Sequence, residues 1–252
     1  MKNFVFSREL NKELGIIDET LRESLNSWWD EIEVFANELE ADPLWKSIPE
    51  FVLLAYDYFE IERDLSIKMA VIFKMVYLTK HIHGTIKDDE EGQEYNQLLQ
   101  FTILIGDYLS GLTMSLLLKN GWGELIDSFA DLMIDINEGL IIKHKIAPDS
   151  GEAVEKASAS LYKTIFITAA RIAGVTSKSE LEIANRLGTH VGMVMVLLYS
   201  NAAPQEISKY IIQANQLFIR LSQSGQVIPG NLEMALRELT DFSGNLKKVA
   251  AI

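Results

Sequence analysis

Cysteine is absent from this chain of 252 residues, so no disulfide framework and no thiolate zinc site is available, and a reducing compartment is compatible with the composition. Basic residues are outnumbered, 23 against 36 acidic, and they form no stripe. Phosphate contacts need clustered Lys and Arg, so nucleic acid is not an expected partner. Strand-like alternation with turn dipeptides is missing, as are low-complexity segments, solenoid-length repeats and a Gly/Pro/Ser-rich linker. The first residues, Met1 to Phe6, run into Ser7-Arg8-Glu9 and leave no signal-peptide core, and a cytoplasmic location is expected.

What is present is enough apolar side chain, 48% of residues, to bury a large core, and one domain is preferred over two. The net charge of −13 is uneven, with 16 acidic and 6 basic residues in positions 1–64. Apolar spacing of three and four marks helices almost throughout. Ser7 to about Leu25 and Trp28 to about Leu39 form an acidic start. Asp42-Pro43 breaks the pattern, and Pro49 suits the first turn of a helix from Glu50 to about Phe59. Further helices are expected from Leu98 to Leu118, from Leu125 to about Lys143, and from a capping box at Asp149-Ser150-Gly151-Glu152 to about Gly174. A second box at Ser177 opens a helix to Leu198, Pro204 opens the next to about Leu221, and Leu232 to about Val249 is the last. The class is all-α. The longest apolar run, Asn96 to Leu118 with Asp107 as its only charge, carries enough polar residues to predict a buried helix in preference to a transmembrane segment.

The rest is arranged around Lys68 to Lys119. Met69, Phe73, Val76, Tyr77 and Lys80 share one helical face. His81-Ile82-His83-Gly84-Thr85-Ile86-Lys87-Asp88 follows, and a second apolar helix carries Ile105-Gly106-Asp107-Tyr108-Leu109-Ser110-Gly111-Leu112. This order resembles the first half of the trans-isoprenyl diphosphate synthases, where a helix carries His followed by Asp-Asp-x-x-Asp and then a Gly-Asp-Tyr-Leu helix. Ser160-Leu161-Tyr162-Lys163-Thr164 resembles the family's Lys-Thr helix start, and Gly188-Thr189-His190-Val191-Gly192 its Gly-x-x-x-Gly. The resemblance covers about residues 45–200, with acidic N-terminal helices at 1–44 and C-terminal helices at 201–252. It implies a single-domain orthogonal helical bundle of the isoprenoid synthase type, with about ten helices.

The family ionises an allylic diphosphate, and the resemblance implies magnesium held by carboxylates on two facing helices, because the departing diphosphate must be neutralised in place. Here the first-motif positions after His83 are Gly84, Thr85 and Asp88, and the second-motif positions are Tyr199, Ser200 and Ala203. His83 and Lys163 are the substrate-side residues that can still be placed. The family's basic grip, aligned on Pro49, keeps only Lys46. This pattern is similar to the small subunit, or component 1, of two-component heptaprenyl and hexaprenyl diphosphate synthases, which share the Gly106-to-Leu112 run and Ile136-Asn137-Glu138. The expected function is that of a catalytically silent subunit that binds no cofactor alone. Magnesium would sit on a catalytic large subunit, prenyl diphosphate would bind in the complex, and the product would serve quinone, notably menaquinone, side-chain synthesis.

Other readings of single residues stay open at this stage. Asp88-Asp89-Glu90-Glu91 is either a shifted magnesium site, which would make the chain an active prenyltransferase or terpene synthase relative, or a solvated connection. A non-catalytic homodimer that binds a prenyl lipid is the third possibility. His81 and His83 point to different sides of a helix and make no zinc pair. Asp107 is a functional acid with a raised pKa or a satisfied core residue, and Met193 to Leu198 line a lipid tunnel or pack the core. Trp28 and Trp29 project about 100° apart, so burying both needs a partner. With Phe101, Leu104, Tyr108 and Leu112, they are the interface candidates.

Overall fold

The computed structural model describes residues 5–86, 97–147, 150–200, 202–224 and 230–250, and helices and turns account for all the regular structure among them. The first half contains α1 (Val5–Glu9), α2 (Asn11–Ser24), α3 (Trp29–Glu38), α4 (Pro43–Tyr58), α5 (Arg63–Gly84) and α6 (Gln97–Lys119). The second half contains α7 (Ile126–Ile141), α8 (Gly151–Val154), α9 (Ser160–Ile172), α10 (Lys178–Tyr199), α11 (Pro204–Ser224) and α12 (Asn231–Ala250). Two π turns, Ile142–Ile146 and Glu155–Ala159, extend α7 and join α8 to α9. The helical segments exceed the expected ten because Leu10 splits the first expected helix and a π turn splits another.

Central in this bundle is α5. Every residue from Met69 through Thr79 is buried, because α2, α4 and α6 all pack on it. Phe73 meets Phe129 of α7 at 5.1 Å between ring centroids. On the other side α10 lies between α9 and α11. Its Gly188 and Gly192 sit so close to α9 that added Cβ atoms would fall 2.5 Å from the Tyr162 carbonyl oxygen and 2.7 Å from Ala159 Cα. Residues from Phe6 to Leu239 contribute to one apolar cluster, and Met193, Val194, Met195, Leu197 and Leu198 lie inside it as core packing.

Three local expectations are corrected. The helical pattern does break at Asp42-Pro43, but the next helix starts there and not at Pro49: Asp42 Oδ1 accepts from Leu44 N at 2.8 Å, and Pro43 occupies the first turn, where its missing N–H costs nothing. Pro49 therefore lies buried inside α4. The cap of α8 is Ser150, whose Oγ accepts from Ala153 N at 3.1 Å; Asp149 lies outside the described residues. The apolar helix α6 is not a buried one. It packs chiefly on α5 through Thr102, Ile105, Gly106, Leu109, Thr113 and Leu117, and only a third of its most apolar window is buried. By length and composition α6 and α10 are both long and apolar enough to cross a membrane.

Candidate functional site

The C-terminal end of α5 delivers the first set of expected site residues. His83 lies against α6 because residue 106 is glycine: a Cβ there would come within 2.1 Å of His83 Nε2. The same nitrogen is 3.7 Å from Asp107 Oδ1. Asp107 is exposed, which excludes the buried-acid reading. Gly84 and Thr85 are exposed too, and the Thr85 hydroxyl donates back to Ile82 O at 2.7 Å. His81 diverges from His83, as helical geometry requires, and meets Glu38 of α3 at 2.8 Å. Asp88 and Asp89 lie outside the described residues.

The second set sits at the end of α10. Tyr199 is its last residue, Ser200 Oγ donates to Leu197 O at 3.3 Å, and Ala203 is exposed. The Tyr199 phenol is pushed up to about 12 by burial and then by the charge of Glu50, a buried α4 residue. Lys163 on α9 is paired with Asp135 of α7, so its charge is already neutralised. Among the described residues no three His, Asp or Glu side chains converge to hold a metal ion. These residues do not fit a magnesium cluster of the kind the resembled family uses, since each ion needs several oxygens at close range.

Several polar residues inside the bundle escaped the motif reading. Lys80 donates from Nζ to Ser158 Oγ at 2.9 Å, bridging α5 to the π turn before α9. Burial pushes its pKa down to about 8, with Lys143 adding to that effect and Asp42 opposing it. The Tyr77 hydroxyl donates to Asp42 Oδ2 at 2.6 Å, and burial followed by the Asp42 charge raises its pKa. Tyr162 and Ser47 share a hydrogen bond of 2.6 Å. Lys74 is buried over the Trp45 ring, 3.9 Å from its centroid, and pairs with Asp18. Lys46 is exposed and lines a cavity of about 350 Å³ with Arg8, Asp18, Glu40, Glu50 and Lys74. Only Lys80 carried a signal in the sequence, as a charged member of an otherwise apolar helical face.

The interface candidates divide. Leu104 is 65% exposed, and Tyr108 and Trp28 are exposed and pack edge-to-face with centroids 6.3 Å apart. Phe101 and Leu112 are half-buried against α5's side of the bundle core. Trp29 turns inward beneath Arg22, whose guanidinium lies 5.2 Å from the ring. The structure thus brings Trp28 onto the same outer surface as α6, although 80 residues separate it from Tyr108.

Several solved structures share this architecture. A polyprenyl synthase from Caulobacter crescentus, complexed with calcium and isoprenyl diphosphate, is similar with a TM-score of 0.73, covering 94% of this chain and 97% of that one at 15% identity. A heptaprenyl diphosphate synthase from Staphylococcus aureus gives 0.65 over 94% and 97% at 13% identity. A geranyl diphosphate synthase small subunit from Antirrhinum majus gives 0.58 over 88% and 98% at 16% identity. No protein-family profile matches the sequence, and no curated protein does. The helical bundle has the isoprenoid synthase fold, as the resemblance implied.

Proposed function

We propose that this chain is a catalytically silent subunit of a long-chain trans-polyprenyl diphosphate synthase, docked through α6 onto a large subunit that carries the magnesium-binding carboxylates. The observation that carries this function is the content of the motif positions: Asp88 alone keeps a carboxylate, and Gly84, Thr85, Tyr199, Ser200 and Ala203 offer none, in a fold whose relatives act on prenyl diphosphates. A missing acid cannot be replaced by geometry, because magnesium is held by oxygen charge at about 2 Å. A same-fold chain from Antirrhinum majus is named a small subunit, which supports a partnered role.

Leu104, Tyr108 and Trp28, with Ile103 and Leu118, leave an apolar surface on α6 and its neighbour that a partner would cover. Within the complex this chain would help to set product length, since apolar volume beside the growing chain limits how far it extends. A quinone side chain is the product use that the sequence resemblance implies.

The test is to incubate this chain, a candidate large subunit, and both together with farnesyl and isopentenyl diphosphates and magnesium, and to size the products. Long-chain product from the mixture alone is the expected result. Equal product from the large subunit alone removes the assembly role. Magnesium-dependent turnover by this chain alone, lost on D88A/D89A, makes it an active enzyme. Prenyl lipid carried by the isolated chain, with no gain in the mixture, makes it a lipid binder.

A further inference from the structure

We propose that the cavity of about 350 Å³ between α1, α2, α4 and α5 is a binding site for a small amino-acid zwitterion, with the ligand's ammonium on Glu50 and its carboxylate on Arg8 and Lys46. The site is separate from the apolar face of α6, and it goes beyond the function above without depending on it.

The charges lining this cavity are only partly matched to one another. Lys74, buried in its wall, pairs with Asp18, and the charge of Glu40 reaches it as well. Glu50, Arg8 and Lys46 remain, and none of them joins an ion pair among the described residues. They differ in sign and in depth. Glu50 is buried and accepts from the Ser7 hydroxyl of α1, whereas Arg8 and Lys46 are exposed. A carboxylate offers two oxygens, so one hydroxyl leaves most of its accepting capacity open.

Burial pushes the Glu50 pKa up to about 7 against the opposing bond from Ser7, and no cation contributes. An ammonium brought in beside Glu50 removes the cost of ionising it in that place. A bare cation would meet Arg8 and Lys46 on its way in. A ligand with a trailing carboxylate pairs with them instead, so the two ends of a zwitterion answer charges of opposite sign at two depths. Leu14, Trp45 and Pro49 add apolar wall, which suits an aliphatic side chain, and the volume is that of a small-molecule pocket. Lys46 is the one cation left of the family's basic grip, and the buried Glu50 carboxylate repels a diphosphate.

The experiment is calorimetric titration of the full chain with L-leucine and with its two halves, 3-methylbutylamine and 4-methylpentanoate. Leucine should bind, the amine should bind more weakly, and the acid should not bind. E50Q, which keeps the shape and the bond from Ser7, should weaken leucine binding at least about tenfold. R8Q/K46Q should bring leucine down to the affinity of the amine. For the parent, leucine affinity should be about tenfold lower at pH 6 than at pH 8, because Glu50 must lose its proton before it pairs with the ammonium. Besides the charged lining residues, the groups whose charges couple to Glu50 are Tyr162 of α9 and Tyr199 of α10, both raised by burial well above that range. E50Q retains all of them and should show no such dependence. If E50Q does not fold, the parent's pH dependence and R8Q/K46Q decide. No leucine binding by the parent up to about 10 mM overturns the proposal. So does E50Q affinity within twofold of the parent, or an acid or amine that binds as tightly as leucine. These titrations contain no partner chain, magnesium or prenyl diphosphate, so their outcome is independent of the mixing assay.

Discussion

Glu50 shows what one residue can decide. It is 7% exposed on α4, its hydrogen-bond partner is Ser7, and burial pushes its pKa from 4.5 up to about 7. A carboxyl whose folded pKa is raised stabilises the fold relative to its ionised form only while protonated. The penalty is absent below pH 4.5, grows as pH rises from there to 7, and is complete above 7. E50Q keeps the shape and an acceptor for Ser7 without the charge. It should match the parent at pH 4 and exceed it by about 3 kcal/mol at pH 8, measured by urea unfolding at both pH values. Equal stability at pH 8 would show that Glu50 ionises without cost. Neither Glu50 nor Lys74 was legible in the sequence, because each interrupts an apolar segment and looks like a solvent-facing position. Their burial follows from α1 setting Phe6 against Phe51 of α4 and from α2 packing on α5. Lys80 was partly legible, since it shares the face of Phe73 and Tyr77, yet its partner Ser158 is 78 residues away.

Among the elements, α10 shows why a spacing can carry a packing instruction. Gly188 and Gly192 lie one turn apart and both meet the start of α9, so the helices touch backbone to backbone. G192A should destabilise the protein by about 2 kcal/mol in urea unfolding, because the new methyl would overlap Ala159 and neither backbone can yield freely. G111A, where a Cβ meets nothing within 4 Å, should leave stability unchanged or raise it by about 1 kcal/mol through helix propensity. Helix ends were legible where a cap is local, as at Ser177, whose Oγ accepts from Glu180 N. Asp42-Pro43 misled because the same dipeptide suits a break and a helix start, and only the bond to Leu44 N distinguishes them.

For the whole molecule, the exposed side of α6 is the feature with the largest consequence. L104E/Y108E places two charges on a surface that carries little core burial, so the isolated chain should melt within about 0.5 kcal/mol of the parent. Under the proposed function the same pair should weaken association with the large subunit by about 2 kcal/mol or more, read by sedimentation or by loss of product in the mixed assay. Unchanged association would move the docking face away from α6.

The sequence by itself determined the all-helical class, most helix spans, and the side chains at the motif positions, since residue type is covalent and helical periodicity is local. Only the tertiary structure decided which face of α6 stays uncovered, that Lys163 is spent on Asp135 while Lys80 reaches Ser158, and that Tyr199 comes up against Glu50. Periodicity reports that a face is apolar; which neighbour covers it, and which charges that neighbour brings, depends on contacts between residues far apart in the chain.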